Sequence, residues 1–587
     1  MSQLPTHKGV TMVSRARRSA PLLGALGLLV STAAAVPAMA APAAPAARST
    51  AATDSTTYLV LAEKGADEAA VRAAITAAGG KVTHVNTAIG LYTVDAPRGS
   101  FAKTATDAQS VRGVASNRVI GRAPHDAVAR TENVEKALDD RSAARRPNLP
   151  YGPGGRPLTP VQGDPLSGLQ WDMAMIDAWR AQRYATGRGV KVGIMDTGVD
   201  ASHPDIAPRF DYRLSRNFTK DDPSIDGSCE SDPDGSCDDP ATVDENEHGT
   251  HVAGTIASPR NGIGIVGVAP EADIVNLRVG QDSGYFFLAP TVDALTYAGD
   301  HGIDVVNMSY YIDPWLFNCA SNPADSAQEQ AEQRTIIEAT NRALDYARGK
   351  GVTLVAAAGN EHTDLDHPTV DATSPDLPAD AARTRQIDNT CLSMPSEGNG
   401  VLGVSSVGPT GLKADYSNWG AQAIGVAAPG GYYRDNYNTP AYMTPGNLIL
   451  APMPKALAQA TGDLDPATGA STSTFIVSQC PAGKDSCAYY QYLQGTSMAS
   501  PHAAGVAALA VSRWGKRDRV NGGLTLDPAR TVSILKRTAT NTICPAPVFD
   551  YPDRPDSYTA TCTGTIRQNS FYGEGIVDAL AAVTRQG

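Results

Sequence analysis

Hydrophobic and polar residues alternate along the chain in two distinct ways. Between residues 57 and 122 the apolar runs are short and their period switches. YLVLAEK reads as a strand and DEAAVRAAITAAGG as a helix closed by glycine. KVTHV and IGLYTVDAP read as two further strands, FAKTATDAQS as a second helix and VASNRVIG as a last strand. The order βαββαβ is that of a small α+β, ferredoxin-like unit. From residue 169 onward the pattern changes. KVGIMDTGV (191–199), ADIVNLRVG (272–280), IDVVNMSY (303–310), GVTLVAAAGN (351–360) and VLGVSSVG (401–408) are short, Val-rich runs. TVDALTYAGDHG (291–302) and QRTIIEATNRALDYARGKG (333–351) are helical segments between them. Strands alternating with helices predict an α/β fold with a mainly parallel sheet, buried on both faces.

The segments outside these patterns set the remaining divisions. Arg15, Arg17 and Arg18 precede the apolar run PLLGALGLLVSTAAAV, and Ala38-Met39-Ala40 is a small-x-small cleavage site. Residues 1–40 thus read as a secretory signal peptide. The alternative is a membrane anchor, but the run is short for a span, and no later stretch reaches about 18 unbroken apolar residues. Residues 41–56 are rich in Ala, Pro, Ser and Thr and read as unstructured, whereas 123–168 read as an exposed Arg/Pro/Gly-rich linker open to cutting. The expected location is secreted or extracellular.

The eight cysteines fit that location. None forms a Cys-x-x-Cys pair, which speaks against zinc or thioredoxin-like chemistry. Sequence proximity favours Cys229–Cys237, Cys480–Cys487 and Cys544–Cys562, leaving Cys319–Cys391. A formal net charge of -12 argues against a nucleic-acid partner.

In a parallel sheet the chemistry lies beyond the C-terminal strand ends. Asp196 follows KVGIM there, either to orient a histidine or to cap a turn. EHGTHVAGTIAS starts a helix with His248 and His251, three apart. That spacing is poor for zinc and suits a general base or two packed histidines. Asn360 follows a strand and Gly359, as an oxyanion donor or a turn residue. Ser497, in QGTSMASPH, is a nucleophile or a helix cap. Taken together, the order Asp, His, Asn, Ser at successive element ends matches a hydrolytic triad with an oxyanion donor.

At this level the chain resembles the subtilisin-like serine proteases. IMDTGVDASHPDI, HGTHVAGTIAS, VVNMSY, VAAAGN, VAAPGG, GTSMASPHAAGVAAL and GEGIVDALAAV occur in the family's order over residues 169–587. The resemblance implies a peptidase domain over that range, with helices on both faces of its sheet. It implies Asp196 as orienting carboxylate, His248 as general base, Ser497 as nucleophile and Asn360 as oxyanion donor. It implies a substrate wall made by Ser309, Tyr310 and Tyr311 and by Ala357, Ala358 and Gly359. Tyr310-Tyr311-Ile312 stands where the family often has Leu-Gly-Gly, so this edge of the cleft is reshaped. The unit at 57–122 resembles the family's propeptide, a folding chaperone and inhibitor removed by self-cleavage.

The resemblance also implies structural calcium, held by Asp205, Asn261 and the carbonyls of Pro259, Ile263 and Ile265, with Gln170 as a further candidate. The acidic loop 221–247 before His248 reads as a disulfide-pinned solvated loop, with calcium or basic-substrate binding as alternatives. The long stretch 431–490 reads as a flap beside the site or a surface loop. The expected partners are polypeptide substrates and the chain's own propeptide, with no nucleic acid, no membrane after signal removal, and a monomeric state. A peptide ligase (macrocyclase) or a non-catalytic binder on the same fold are the rival functions.

Overall fold

The structure is a computed structural model and describes residues 55–116, 134–137, 151–152, 156–157, 164–231, 235–377, 381–481, 483 and 486–585. The signal peptide and nearly all of the 41–56 segment lie outside the described residues. Ser55 and Thr56, assigned by sequence to that unstructured segment, are instead the first residues of a strand.

The N-terminal unit comprises β1 (Ser55–Ala62), α1 (Glu68–Ala77), β2 (Lys81–Asn86), β3 (Leu91–Pro97), α2 (Phe101–Thr106) and β4 (Val111–Ser116). Its antiparallel sheet has the order β2-β3-β1-β4, the ferredoxin-like arrangement. The last strand begins three residues before the run that announced it, with Val111 paired to Ala62 at the end of β1; residues 117–121 of that run lie outside the described residues. Asp67 caps α1, accepting from the Ala70 N–H. The two-residue period of β1 separates two packing faces. Tyr58, Val60 and Ala62 join the unit's own core with Val71, Ile75 and Phe101, while Leu59 and Leu61 pack with Leu295, Ile336 and Ala339 of the larger body.

The larger body is built on β5 (Lys191–Met195), β6 (Arg216–Asn217), β7 (Asp273–Arg278), β8 (Val305–Met308), β9 (Thr353–Ala357), β10 (Leu402–Val407) and β11 (Ile424–Pro429). They form one parallel sheet in the order β11-β10-β9-β8-β5-β7-β6. Among the helices that cover it are α3 (His248–Ala257), α4 (Leu288–Asp300), α5 (Ala327–Gly349) and α6 (Thr496–Trp514). Alternation again sorts the faces. Val192, Ile194, Val305 and Val355 pack with α3 and α6, whereas Met195, Val306, Met308 and Leu354 pack with α4 and α5. Burying both faces explains why these strands read as unbroken apolar runs.

The small sheet rests on α4 and α5. Asn86 Nδ2 donates to Asp293 Oδ1 (2.8 Å) and Thr296 Oγ1 (2.7 Å). Ser116 Oγ donates to Glu332 Oε1 (2.6 Å), and an Arg342 N–H to the Ala62 carbonyl (2.8 Å). Gly113 lies so close to α5 that a Cβ there would stand 2.3 Å from Thr335 Oγ1.

The 431–490 stretch does lie beside the cleft, which Tyr432, Tyr433 and Arg434 line, and its centre is a packed sheet rather than a loose loop. β12 (Ile449–Pro452), β13 (Ile476–Gln479) and β14 (Ala488–Leu493) make an antiparallel sheet in the order β12-β14-β13. It lies against α3, where His251 Nε2 donates to the carbonyls of Ile449 and Gln491, each at 3.1 Å. His251 is thus fully committed to packing. The four disulfides pair as sequence proximity suggested: 229–237, 319–391, 480–487 and 544–562. Among the described residues, no helix is long and apolar enough to cross a membrane.

Candidate active site

Strands β5, β8 and β9 end on one rim of the sheet, and the chain leaves each end with a polar residue. Asp196 follows Met195 and is wholly buried. Its Oδ1 accepts from the Thr197 N–H (2.8 Å) and from His248 Nδ1 (2.6 Å). Because a carboxylate only accepts, Nδ1 carries the proton and Nε2 faces the cleft. Burial alone would lower the His248 imidazole, but the Asp196 and Glu135 carboxylates outweigh it and hold the ring well above its ordinary value. Burial pushes the Asp196 carboxyl up, with the imidazole pulling the other way.

Ser497 is the second residue of α6. The turn before it uses Gly495 at φ 152°, a backbone that favours glycine. Asn360 approaches from the β9 end. Its Oδ1 accepts both the Thr496 N–H and the Thr496 hydroxyl at 2.9 Å, which turns Nδ2 toward Ser497. A chain of hydrogen bonds ties the β8 end to the same helix: Ser500 Oγ to Asn307 Oδ1 (2.6 Å), Asn307 Nδ2 to Ser309 Oγ (2.9 Å), and Ser309 Oγ to the Ser497 carbonyl (3.1 Å).

These groups line a cleft of about 920 Å³. Ser309, Tyr310, Tyr311, Ala357 and Gly359 are on its walls. Ala358 is not, contrary to expectation; it is buried beside Leu316, Phe317 and Ile424, with its carbonyl taken by Asn418 Nδ2. Tyr310 stacks on Phe286, ring centroids 4.3 Å apart, and is nearly buried. Tyr311 donates to Asp376 Oδ2 at 2.7 Å.

One residue in the cleft carries no sequence signal. Glu135, from the region read as an exposed linker, is 9% exposed and stands against His248 and Ser497. Ser497 Oγ donates to its Oε1 at 2.7 Å, Asn360 Nδ2 donates to the same oxygen at 3.3 Å, and His248 Nε2 lies 3.5 Å from Oε2. Nothing in TENVEKALDD separates this glutamate from its charged neighbours.

Of the calcium ligands read from the resemblance, Asp205 and Asn261 do meet, but their arrangement does not fit the ion, and Ile265 presents its N–H rather than its carbonyl. Asp205 Oδ1 accepts from Asn261 Nδ2 (3.0 Å), and Oδ2 from the Ile265 N–H (3.0 Å) and the Tyr490 hydroxyl (2.8 Å). A calcium site presents oxygen acceptors to the metal, whereas here three hydrogen-bond donors face the carboxylate. Burial pushes that carboxyl up to about 7, with the three donors pulling the other way. Gln170 is likewise engaged, its amide paired with both backbone groups of Val266.

The acidic loop is held by a cation of the chain itself. The fully buried Arg278 guanidinium, at the end of β7, bonds Asp221 (3.0 Å), Asp282 (3.0 Å) and Asp239. The cluster those three aspartates form is therefore closed by a guanidinium, so neither calcium nor a substrate cation is needed to explain it.

Comparison with known proteins agrees with this geometry. The model of the Subtilase family matches residues 187–575. A thermostable alkaline protease of Halalkalibacterium halodurans is 26% identical over 347 residues, 59% of this chain and 63% of that protein. Subtilisin BL of Lederbergia lenta is 27% identical over 342 residues, 58% of this chain and 83% of that protein. Against some of these relatives the chain spans less than two thirds of their length. The crystal structure of the epidermin leader peptide processing serine protease of Staphylococcus aureus has the same fold, with a TM-score of 0.57, 18% identity, and coverage of 90% of this chain and 98% of that one. A family match over residues 187–575, on a parallel sheet whose strand ends carry Asp196, Ser309 and Asn360, places this chain in the subtilase family.

Proposed function

We propose that the chain is a serine endopeptidase that hydrolyses polypeptides through an acyl-enzyme, and that it is exported as a self-processed zymogen. The observation that carries this reading is the His248 Nδ1 to Asp196 Oδ1 bond of 2.6 Å, in a cleft that also holds Ser497 and Asn360. That bond fixes the tautomer that leaves Nε2 free to take a proton. With substrate in the cleft, His248 Nε2 accepts the Ser497 proton as Oγ attacks the peptide carbonyl. Asn360 Nδ2 and the Ser497 N–H, at the start of α6, meet the oxyanion that forms. His248 then protonates the leaving amine, and water attacks the acyl-enzyme by the same route in reverse. The names of the relatives, proteases throughout, support the substrate class.

The zymogen part is supported by the N-terminal unit, which shares a core with α4 and α5, and by the Arg-rich 141–146 stretch that follows it. Export is supported by the leader pattern and the four disulfides. A monomer is the simplest state, since one chain carries all of these groups. The ligase has less support: in the insertion invoked for it, the Ile449 and Gln491 carbonyls are bonded to His251 of α3.

Expression of residues 41–587 beside Ser497→Ala, followed by mass spectrometry of the N-terminus and a casein assay, tests this. The wild type is expected to lose its N-terminal unit and cut casein, and the variant to do neither. A wild type that does not process itself, and that stays inactive even after an added protease removes its N-terminal unit, sinks the reading. Joined or cyclic products would point to the ligase.

A further inference from the structure

We propose that Glu135 is a built-in plug: its carboxylate fills the oxyanion position of the active site and keeps the uncut chain inactive until the surrounding segment leaves. This inference rests on the zymogen reading above and adds the atom-level means of latency.

Three groups that the reaction needs are engaged by this one side chain. The nucleophile's proton goes to Glu135 Oε1 (2.7 Å), the oxyanion donor Asn360 Nδ2 points at the same oxygen (3.3 Å), and the base's Nε2 faces Oε2 (3.5 Å). A site preorganised for a negative oxygen beside Ser497 binds a carboxylate oxygen placed there for the same reason that it binds the transition state. The charges agree. Burial alone would raise the Glu135 carboxyl, but His248 and the Ser497 hydroxyl outweigh it and hold it below its ordinary value. With Glu135 in place, His248 is held in the protonated form, which cannot take the serine proton.

The contact is not that of a substrate. Val134 and Glu135 are helical, and among the described residues what meets Ser497 from this segment is a side-chain carboxylate, not extended backbone. A carboxylate spreads its charge over two oxygens and resists nucleophilic attack, so no bond is made or broken and the plug is not consumed. Self-cleavage must therefore occur at another bond, after Glu135 has withdrawn.

The segment is also latched by its backbone and flanks. Gln494 Nε2 donates to the Val134 carbonyl (2.8 Å), and the Gln494 N–H to the Glu135 carbonyl (3.0 Å). Lys136 Nζ lies 2.6 Å from Glu247 Oε1, next to His248. Ala137 is buried against Ile265, Tyr433 and Leu448. Gly495 leaves room for the carboxylate, since a Cβ there would stand 3.1 Å from Glu135 Oε1.

The test uses the full chain as wild type, Glu135→Ala and Glu135→Gln, purified before processing is complete. Labelling of Ser497 by a fluorophosphonate probe and the rate of self-processing are measured, with melting curves to compare folding. The uncut Glu135→Ala chain is expected to label and process about tenfold faster or more, the least that loss of a charge-assisted hydrogen bond gives. Glu135→Gln should fall between it and the wild type. Should Glu135→Ala fail to fold, a synthetic peptide of residues 131–140 is titrated against the matured enzyme, beside its Glu135→Gln form. Inhibition only by the glutamate peptide supports the plug. Equal labelling and processing of wild type and folded variants, or equal potency of the two peptides, overturns it. If the uncut wild type already labels as fast as matured enzyme, the zymogen reading itself falls. If the wild type is latent and the variants match it, the plug alone falls.

Discussion

Thr496 holds Asn360 by both of its hydrogen-bonding groups, the backbone N–H and the hydroxyl each reaching Asn360 Oδ1 at 2.9 Å. Thr496, the neighbour of Ser497, thereby aims Asn360, the proposed oxyanion donor, and the Thr496 hydroxyl in turn accepts from the Gly359 N–H (3.0 Å). Asn360→Ala is expected to lower kcat by roughly 100- to 1000-fold with little change in KM. Thr496→Val keeps the backbone donor and loses the hydroxyl, so its kcat should fall by about fivefold, the rate equivalent of one neutral hydrogen bond. Steady-state kinetics of the matured enzyme on a peptide substrate decide both. A Thr496→Val loss confined to KM would show that Thr496 does not act through Asn360.

Among the described residues, Arg278 is the cation paired with Asp221, Asp239 and Asp282. Replacing it with methionine leaves buried carboxylates without a counter-charge, for which a loss of about 3–5 kcal/mol is expected. Urea unfolding in a Ser497→Ala background, which prevents self-digestion, measures it. Arg278→Lys keeps the charge but not the planar fork and should fall in between. A full-stability methionine variant would mean that solvent or an ion compensates the cluster.

Tyr490 stands over Asp205 where the family resemblance implied calcium. Tyr490→Phe strips one donor from a buried carboxylate and is expected to cost about 1–3 kcal/mol. Dialysis against EDTA should leave the melting temperature of the wild type nearly unchanged at this locus. A large EDTA-induced loss that Asp205→Asn abolishes would show that calcium enters and turns the donors away.

His251 offers a pH test with a definite sign. Burial, first among its causes, lowers its imidazole from the ordinary 6.5 to about 3. The folded chain therefore keeps it neutral while the unfolded chain takes up a proton below pH 6.5. Stability from this group is complete above pH 6.5 and is lost as pH falls toward about 3, at up to roughly 1.4 kcal/mol per pH unit. The stability advantage of wild type over His251→Gln, again in the Ser497→Ala background, should shrink steadily from pH 7 to pH 4. A constant difference would place the proton uptake elsewhere.

The sequence by itself determined the elements and their chemistry. Val-rich runs buried on both sides, such as KVGIM and TLVAA, can only be central strands, and chemistry on a parallel sheet collects beyond strand ends. That is why Asp196 and Asn360 could be read as candidates, with His248 and Ser497 at helix starts, while Ser309 came from the family resemblance. Short-range disulfides followed from loop closure. The tertiary structure alone decided what depends on distant segments meeting. Glu135 reaches Ser497 across 362 residues, Tyr490 reaches Asp205 across 285, and Arg278 gathers aspartates from a loop that looks merely solvated. A period of hydrophobicity records which face of an element is buried, but it carries no record of which polar side chain arrives there from elsewhere. For that reason the exposed linker became a residue in the active site, and the calcium pair became an aspartate under a tyrosine.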